Sequence, residues 1–281
     1  MTVLIAGCGD LGTEVGLRLA ALGHRVVGLR RRTDLLPAAI SGQSIDLSRE
    51  RPVVPPGTEI VLVALTPGSP TPEAYRSTYV DGLRNLLDGL DDAHVIPRRF
   101  LLVSSTAVYD VSDGSWVDEQ TPPNPRPGTD AILLEAERML QSRIPSAVVF
   151  RLAGVYGPGR ERLITQVREG RATVSAQSRH TNRIHRDDAA AAIVHLIQRE
   201  EQPHPLYLGA DNAPVVSRDV LNFLATELGL PVPTTDGTES QRGGDKRISN
   251  RLLLDTGFTF TYPTYREGYR AILDGRGTRH P

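Results

Sequence analysis

The chain has 281 residues, a formal net charge of −1, a single cysteine (Cys8) and ordinary apolar and charged fractions. That length builds a full hydrophobic core in one large domain or two modest ones. The near-neutral charge gives no global attraction to nucleic acid or an anionic membrane, one cysteine forbids an internal disulfide and suits a reducing, cytoplasmic compartment, and neither a signal peptide nor a bilayer-spanning stretch is expected.

The short β-branched run Thr2 to Ala6 predicts a buried strand. It leads into the turn Gly7–Gly12, and Leu11, Val15, Leu19 and Leu22 then recur at helical spacing up to the stop at Gly23. His24 to Leu29, Glu59 to Leu65, Arg99 to Ser105 and Ser146 to Ala153 predict further strands. Tyr75 to Leu90 and Asp130 to Leu140 predict helices between them. Continuous apolar strands alternating with amphipathic helices imply a parallel sheet covered on both faces. A helix over Asp187 to Gln198 and a strand over Leu206 to Leu208 follow. Ser217 to Leu228 and Ser249 to Thr256 predict helices, separated by a Pro-, Gly-, Thr- and Ser-rich stretch from Pro231 to Asp245. The tail with Tyr262, Tyr265 and Tyr269 predicts a small cap, and Thr121 to Pro127 a loop.

Gly7-Cys8-Gly9-Asp10-Leu11-Gly12 fits G-x-G-x-x-G after a strand and at the opening of a helix. In that setting Gly7 permits the tight turn, Gly9 lets a diphosphate approach the backbone and Gly12 packs helix on strand. The helix N-terminus then presents free amides and a positive dipole end to the phosphates. The residue about 20 positions past the loop sets the choice of dinucleotide, because a carboxylate there binds the adenosine ribose hydroxyls. Here that position is Arg30, followed by Arg31 and Arg32. With guanidinium forks and no carboxylate, NADP is expected ahead of NAD. Asp46 is either an acceptor for the adenine amino group or a surface carboxylate.

Four segments, Leu102–Tyr109, Arg151–Gly159, Arg183–Asp188 and Leu206–Gly209, carry a resemblance over nearly the whole chain. In order and spacing they resemble the extended short-chain dehydrogenase/reductase family, the NAD(P)-dependent epimerases and dehydratases of nucleotide sugars. The resemblance implies an α/β fold: a Rossmann doubly wound parallel sheet with a smaller C-terminal α+β substrate domain. The Rossmann part would comprise residues 1–155 and 183–211, and the substrate part 156–182 and 212–281. It implies cofactor contacts from the glycine loop with Asp10 and Leu11, and from Ala64 and Ser104. It also implies a small-molecule substrate in the cleft, with Tyr156 beside it, and a homodimer through helices 75–90 and 130–140.

The chain departs from that family at its catalytic pair. Members carry Y-x-x-x-K on the helix after the proline loop; here Thr129 and Leu133 take those places, and 127–137 contains neither Tyr nor Lys. The glycine loop is also one residue short, which would suit a dehydrogenase of another Rossmann family, although the Arg151–Gly159 and Arg183–Asp188 segments argue against that. Ser105 keeps the hydroxyl that relatives aim at the reacting oxygen, unless it only bonds backbone. Tyr109 and Asp130 are the candidate proton carriers. Lys246 and Arg247, with Arg183, would bind a phosphorylated or nucleotide-linked substrate or form a solvated surface run. His185 is expected to pack between the two parts and Asp187 to cap or orient the following helix. The seven histidines show no metal-binding spacing. These residues predict an NADP-dependent oxidoreductase, epimerase or dehydratase of a sugar-like substrate, with a non-catalytic NADP(H) sensor as the alternative.

Overall fold

Alternation along the strands sets the layers. Val3 and Ile5 belong to one apolar cluster and Leu4 and Ala6 to another, so successive side chains of the first strand enter cores on opposite faces of the sheet. The computed structural model describes residues 1–175, 177, 179–235 and 244–281. Its strands are β1 (Thr2–Ala6), β2 (Arg25–Arg30), β3 (Ile40–Ser44), β4 (Thr58–Val63), β5 (Arg99–Ser105), β6 (Ser112–Val117), β7 (Val148–Leu152), β8 (Gly154–Tyr156), β9 (His180–Thr181), β10 (Arg183–His185), β11 (Leu206–Gly209), β12 (Val215–Val216) and β13 (Asp245–Ile248). Its helices are α1 (Asp10–Ala21), α2 (Pro72–Tyr75), α3 (Gly82–Asp92), α4 (Thr129–Arg143), α5 (Arg162–Arg168), α6 (Arg186–Gln198), α7 (Ser217–Glu227), α8 (Arg251–Leu254) and α9 (Tyr265–Leu273). A π-helical segment, Arg76–Asp81, joins α2 to α3.

The principal sheet runs β11-β7-β5-β4-β1-β2-β3, with every pairing parallel. This is the doubly wound α/β architecture, reversing direction at β1 and β4, where a crevice opens beyond the carboxyl ends of the strands. One face carries α1 and α6, whose Val15, Leu19, Ile193 and Leu196 share a core with Val3 and Ile5. The other carries α3 and α4, whose Leu83, Leu86, Ile132 and Leu140 share a core with Leu4 and Val61. A third cluster joins Tyr156, Ile164 and Val167 to Val220, Leu224, Tyr269 and Ile272 of the C-terminal half. Leu253 and Phe258 instead join the core under the sheet. The outer faces of α3 and α4, expected to pair two copies, carry the ion pairs Arg76–Glu135, Arg143–Asp88 and Arg51–Asp92. Among the described residues neither helix has an exposed large apolar side chain.

The tail expected as a small cap is the helix α9, with a capping box between Thr264 and Glu267. Of the Pro-, Gly-, Thr- and Ser-rich stretch 231–245, residues 236–243 lie outside the described residues. No helix among the described residues is long and apolar enough to cross a membrane.

Candidate active site

Gly7 has φ +88°, and a Cβ there would lie 2.5 Å from the Ala64 carbonyl oxygen. The Gly7 and Cys8 amides both donate to Leu29 O, which pins the turn between β1 and β2. A Cβ on Gly12 would lie 2.5 Å from Gly7 O, so this third glycine lets α1 seat against the loop. A Cβ on Gly9 would meet nothing within 4 Å, so the middle of the loop faces open space. The helical ladder of α1 begins with Thr13 N donating to Gly9 O, which leaves the preceding amides for an incoming anion. These features fit the diphosphate of a nicotinamide dinucleotide.

Beyond the loop lies a cavity of about 190 Å³ lined by Gly9, Asp10 and Leu11, by Ala64 and Thr66 after β4, by Tyr79, by Ser104 and Ser105 of β5, and by Ala153, Val155 and Arg160 after β7. Ser105 Oγ accepts from the Ala107 amide at 3.1 Å, so its bond to backbone uses a lone pair and leaves the hydroxyl proton to donate. Ser104, also in the lining, donates its hydroxyl to Glu137 Oε1 at 2.5 Å.

Glu137 forms a buried ion pair with Arg151 (2.6 Å), and both side chains are at most 5% exposed. Arg151 Nη1 also donates to the Tyr109 hydroxyl at 2.5 Å, and the guanidinium lies 4.9 Å from the Tyr109 ring centre. Burial lowers the Arg151 pKa, but the Glu137 hydrogen bond and charge more than offset this, so the group stays cationic. This four-residue network underlies the end of β5 and redirects one expectation. Tyr109, named above as a proton carrier, is fully buried, with its hydroxyl held by Arg151 and directed to the Asp118 carbonyl. Burial is the leading cause of its raised pKa. The geometry therefore makes Tyr109 a packing and network residue.

A second cavity, about 340 Å³, is lined by Tyr75, Ala107, Tyr109, Asp110, Arg126, Thr129, Asp130, Gly244 and Lys246. Thr129 stands at the mouth of α4, bonded to the Asp130 carboxylate at 3.2 Å, whereas Leu133 one turn later is packed into a core with Val108 and Ile248. Lys246 reaches this cavity from β13 and donates to the Tyr109 carbonyl at 2.6 Å. Burial pushes its pKa down, and the Asp110 and Asp130 charges push it up. Arg247, the next residue on the strand, points the other way: it donates to Gly114 O and lies over the Trp116 ring. Neighbouring residues on a strand face opposite sides, so Lys246 and Arg247 cannot clasp one diphosphate together.

Of the expected substrate contacts, Tyr156 and Arg183 line neither of these cavities. Both are buried, Tyr156 packed on the Tyr269 ring and Arg183 over Tyr265 and hydrogen-bonded to Thr181. His185 is buried between Tyr156 and Tyr262 and caps α6 through its Nδ1, while Asp187 pairs with Arg186 in the first turn of that helix. Arg30 donates to the Pro281 carbonyl, Arg31 is exposed, and Asp46 accepts from the Ser48 amide and hydroxyl. Two features escaped the sequence reading. Arg160 ion-pairs with Asp10 (2.9 Å) at the edge of the first cavity. A third cavity of about 270 Å³, lined by Arg162, Arg171, Arg179 and Arg218, shares Gly244 with the second. Its arginines are scattered from 162 to 218, so no local run signals them. Among the described residues no cluster of three or more His, Cys, Asp or Glu is placed to hold a metal.

The family model described as NAD dependent epimerase/dehydratase matches residues 3–209. A solved structure from Methylobacillus flagellatus, provisionally described as an NAD-dependent epimerase/dehydratase, is 37% identical with a TM-score of 0.81, covering 98% of both chains. A conserved protein of unknown function from Silicibacter pomeroyi is 27% identical over 99% of both chains, with a TM-score of 0.82. The UDP-glucuronic acid 4-epimerase of Bacillus cereus, solved with UDP-glucuronic acid and NAD, has a TM-score of 0.82 at 16% identity over 98% of each chain, a likeness of fold. No curated protein matches the chain.

Proposed function

Because the chain belongs to the NAD-dependent epimerase/dehydratase family, we propose that it is an NADP-dependent oxidoreductase, epimerase or dehydratase acting on an anionic, nucleotide-sugar-like substrate. The observation that carries this reading is the first cavity, which has the glycine loop on one wall and the Ser105 hydroxyl on the other. Bound there, the dinucleotide supplies a hydride acceptor and donor at nicotinamide C4. Gly9 and the first amides of α1 hold the diphosphate, and Arg30 and Arg31 supply charge for the 2′-phosphate. Ser105 donates to the substrate oxygen and stabilises the charge that develops on it. Asp130, beside Thr129 and Lys246 in the second cavity, exchanges the proton in place of the family's tyrosine. The neighbouring arginine-lined cavity suits the phosphorylated end of the substrate.

The alternative, a dinucleotide sensor without catalysis, is favoured by the buried Leu133 at the family's lysine position. Two experiments separate the readings. Titration calorimetry should show NADPH binding more tightly than NADH, and replacing Arg30 and Arg31 with Glu should reverse the order; an unchanged order removes those arginines from the site. Product chromatography on nucleotide sugars incubated with NADP should show conversion that Ser105→Ala lowers by roughly a hundredfold. Tight dinucleotide binding with no conversion of any nucleotide sugar would favour the sensor.

A further inference from the structure

We infer that Arg160 binds the diphosphate of the dinucleotide, reaching from the segment after β8 across the glycine loop. This inference rests on the dinucleotide-binding reading above and names a residue for it.

Asp10 is the first residue of α1, and its carboxylate sits where an incoming diphosphate must approach. An isolated carboxylate at that place would repel the phosphates. Here it is held between two guanidinium groups. Oδ1 accepts from Arg186 Nη1 (2.6 Å) and the His280 amide (3.2 Å), and Oδ2 accepts from Arg160 Nε (2.9 Å). Arg186 is shared with Asp187 (2.7 Å), so Arg160 is the cation that offsets Asp10 on the cavity side.

The two arginines are not equivalent. Arg186 is fully buried and all three of its nitrogens are committed, to Asp187, Asp10 and Thr278 O. It serves as a fixed anchor. Arg160 spends only Nε on Asp10, and its two terminal amino groups make no hydrogen bond among the described residues. Its side chain is 39% exposed and lines the cavity beside Gly9, Asp10 and Leu11. A guanidinium held at the cavity wall through Nε alone keeps both outer donors, the fork that binds two phosphate oxygens at once. Asp10 thus aims Arg160, and Arg160 cancels the charge by which Asp10 would otherwise oppose the ligand. Since Arg160 follows β8 and Asp10 follows β1, binding through both also ties the substrate half to the cofactor half.

The test is titration calorimetry with whichever of NADPH and NADH the unaltered protein binds more tightly, applied to Arg160→Ala, Arg160→Lys, and Arg160→Ala combined with Asp10→Asn. Losing a charge-assisted pair of bonds should weaken binding by about tenfold or more in Arg160→Ala. Lysine, which keeps the charge and loses the fork, should recover only part. The double variant should stay weak, and the melting temperature of the ligand-free Arg160→Ala protein should match the unaltered one. Wild-type affinity in Arg160→Ala overturns the inference. Affinity restored in the double variant also overturns it, because Arg160 would then act only by neutralising Asp10. If the unaltered protein binds neither dinucleotide, the functional reading itself falls and this inference with it.

Discussion

Cutting the Glu137–Arg151 pair at one partner should cost more stability than any surface substitution in this chain. Arg151→Met leaves the Glu137 carboxylate, 2% exposed, without the three guanidinium contacts it accepts and with only the Ser104 hydroxyl as a donor. It also leaves the buried Tyr109 hydroxyl without its 2.5 Å partner. Stranding one charge of a buried pair costs about 3–5 kcal/mol. Taking an unfolding entropy of about 2.1 cal/mol/K per residue over the chain, roughly 0.6 kcal/mol/K in all, the melting temperature should fall by about 5–8 °C. The same pair replaced whole, as Glu137→Leu with Arg151→Met, removes both charges and should recover about half of that loss or more. Scanning calorimetry on the two singles and the double closes the cycle. A single variant that melts within about 1 °C of the parent, or a double variant worse than either single, would refute the claim that the two charges are desolvated together and depend on each other.

Two further outcomes follow from the same reasoning. Burial pushes the Asp211 carboxyl up to about 7, with Arg183 opposing and the Glu267 and Asp188 charges adding to it. The folded chain therefore keeps a proton that the unfolded chain has released above about pH 4, so this group costs up to about 4 kcal/mol as pH rises from about 4 to about 7, then levels off. Asp211→Asn should be the more stable form in denaturant titrations at pH 8, with the advantage gone at pH 4; an advantage that grows towards acid would contradict the assignment. At the glycine loop, Gly9→Ala should leave stability within about 0.5 kcal/mol, since its Cβ meets nothing, yet weaken dinucleotide binding. Gly12→Ala should instead cost about 1–3 kcal/mol from its contact with Gly7 O, and equal melting temperatures for the two would refute that distinction.

How much was legible in the sequence follows the range of the interactions involved. Strands β1, β2, β4, β5 and β7 announce themselves by apolar runs, because they are buried on both faces and need no partner to be recognised. β3, reading ISGQS with only Ile40 buried, does not, since an edge strand facing solvent carries little apolar signal. The two- to four-residue strands β8 to β10, β12 and β13 escape for another reason: each exists through pairing with a segment far away in sequence, as Arg183–His185 pairs with Gly154–Tyr156.

The site divides in the same way. The glycine loop is local, so its turn, its open middle and its helix start were readable from spacing within six residues. The absence of Tyr and Lys near Thr129 was equally readable. Which side chains meet in space was not. The phenol of Tyr109 turns to Arg151, 42 positions on, and the Asp10 carboxylate to Arg160, 150 positions on. Local periodicity fixes which face of an element a residue occupies, but only the packing of distant elements decides what that face meets, so the sequence alone determined the glycine turn and its helix start, and tertiary structure decided which charged groups surround them.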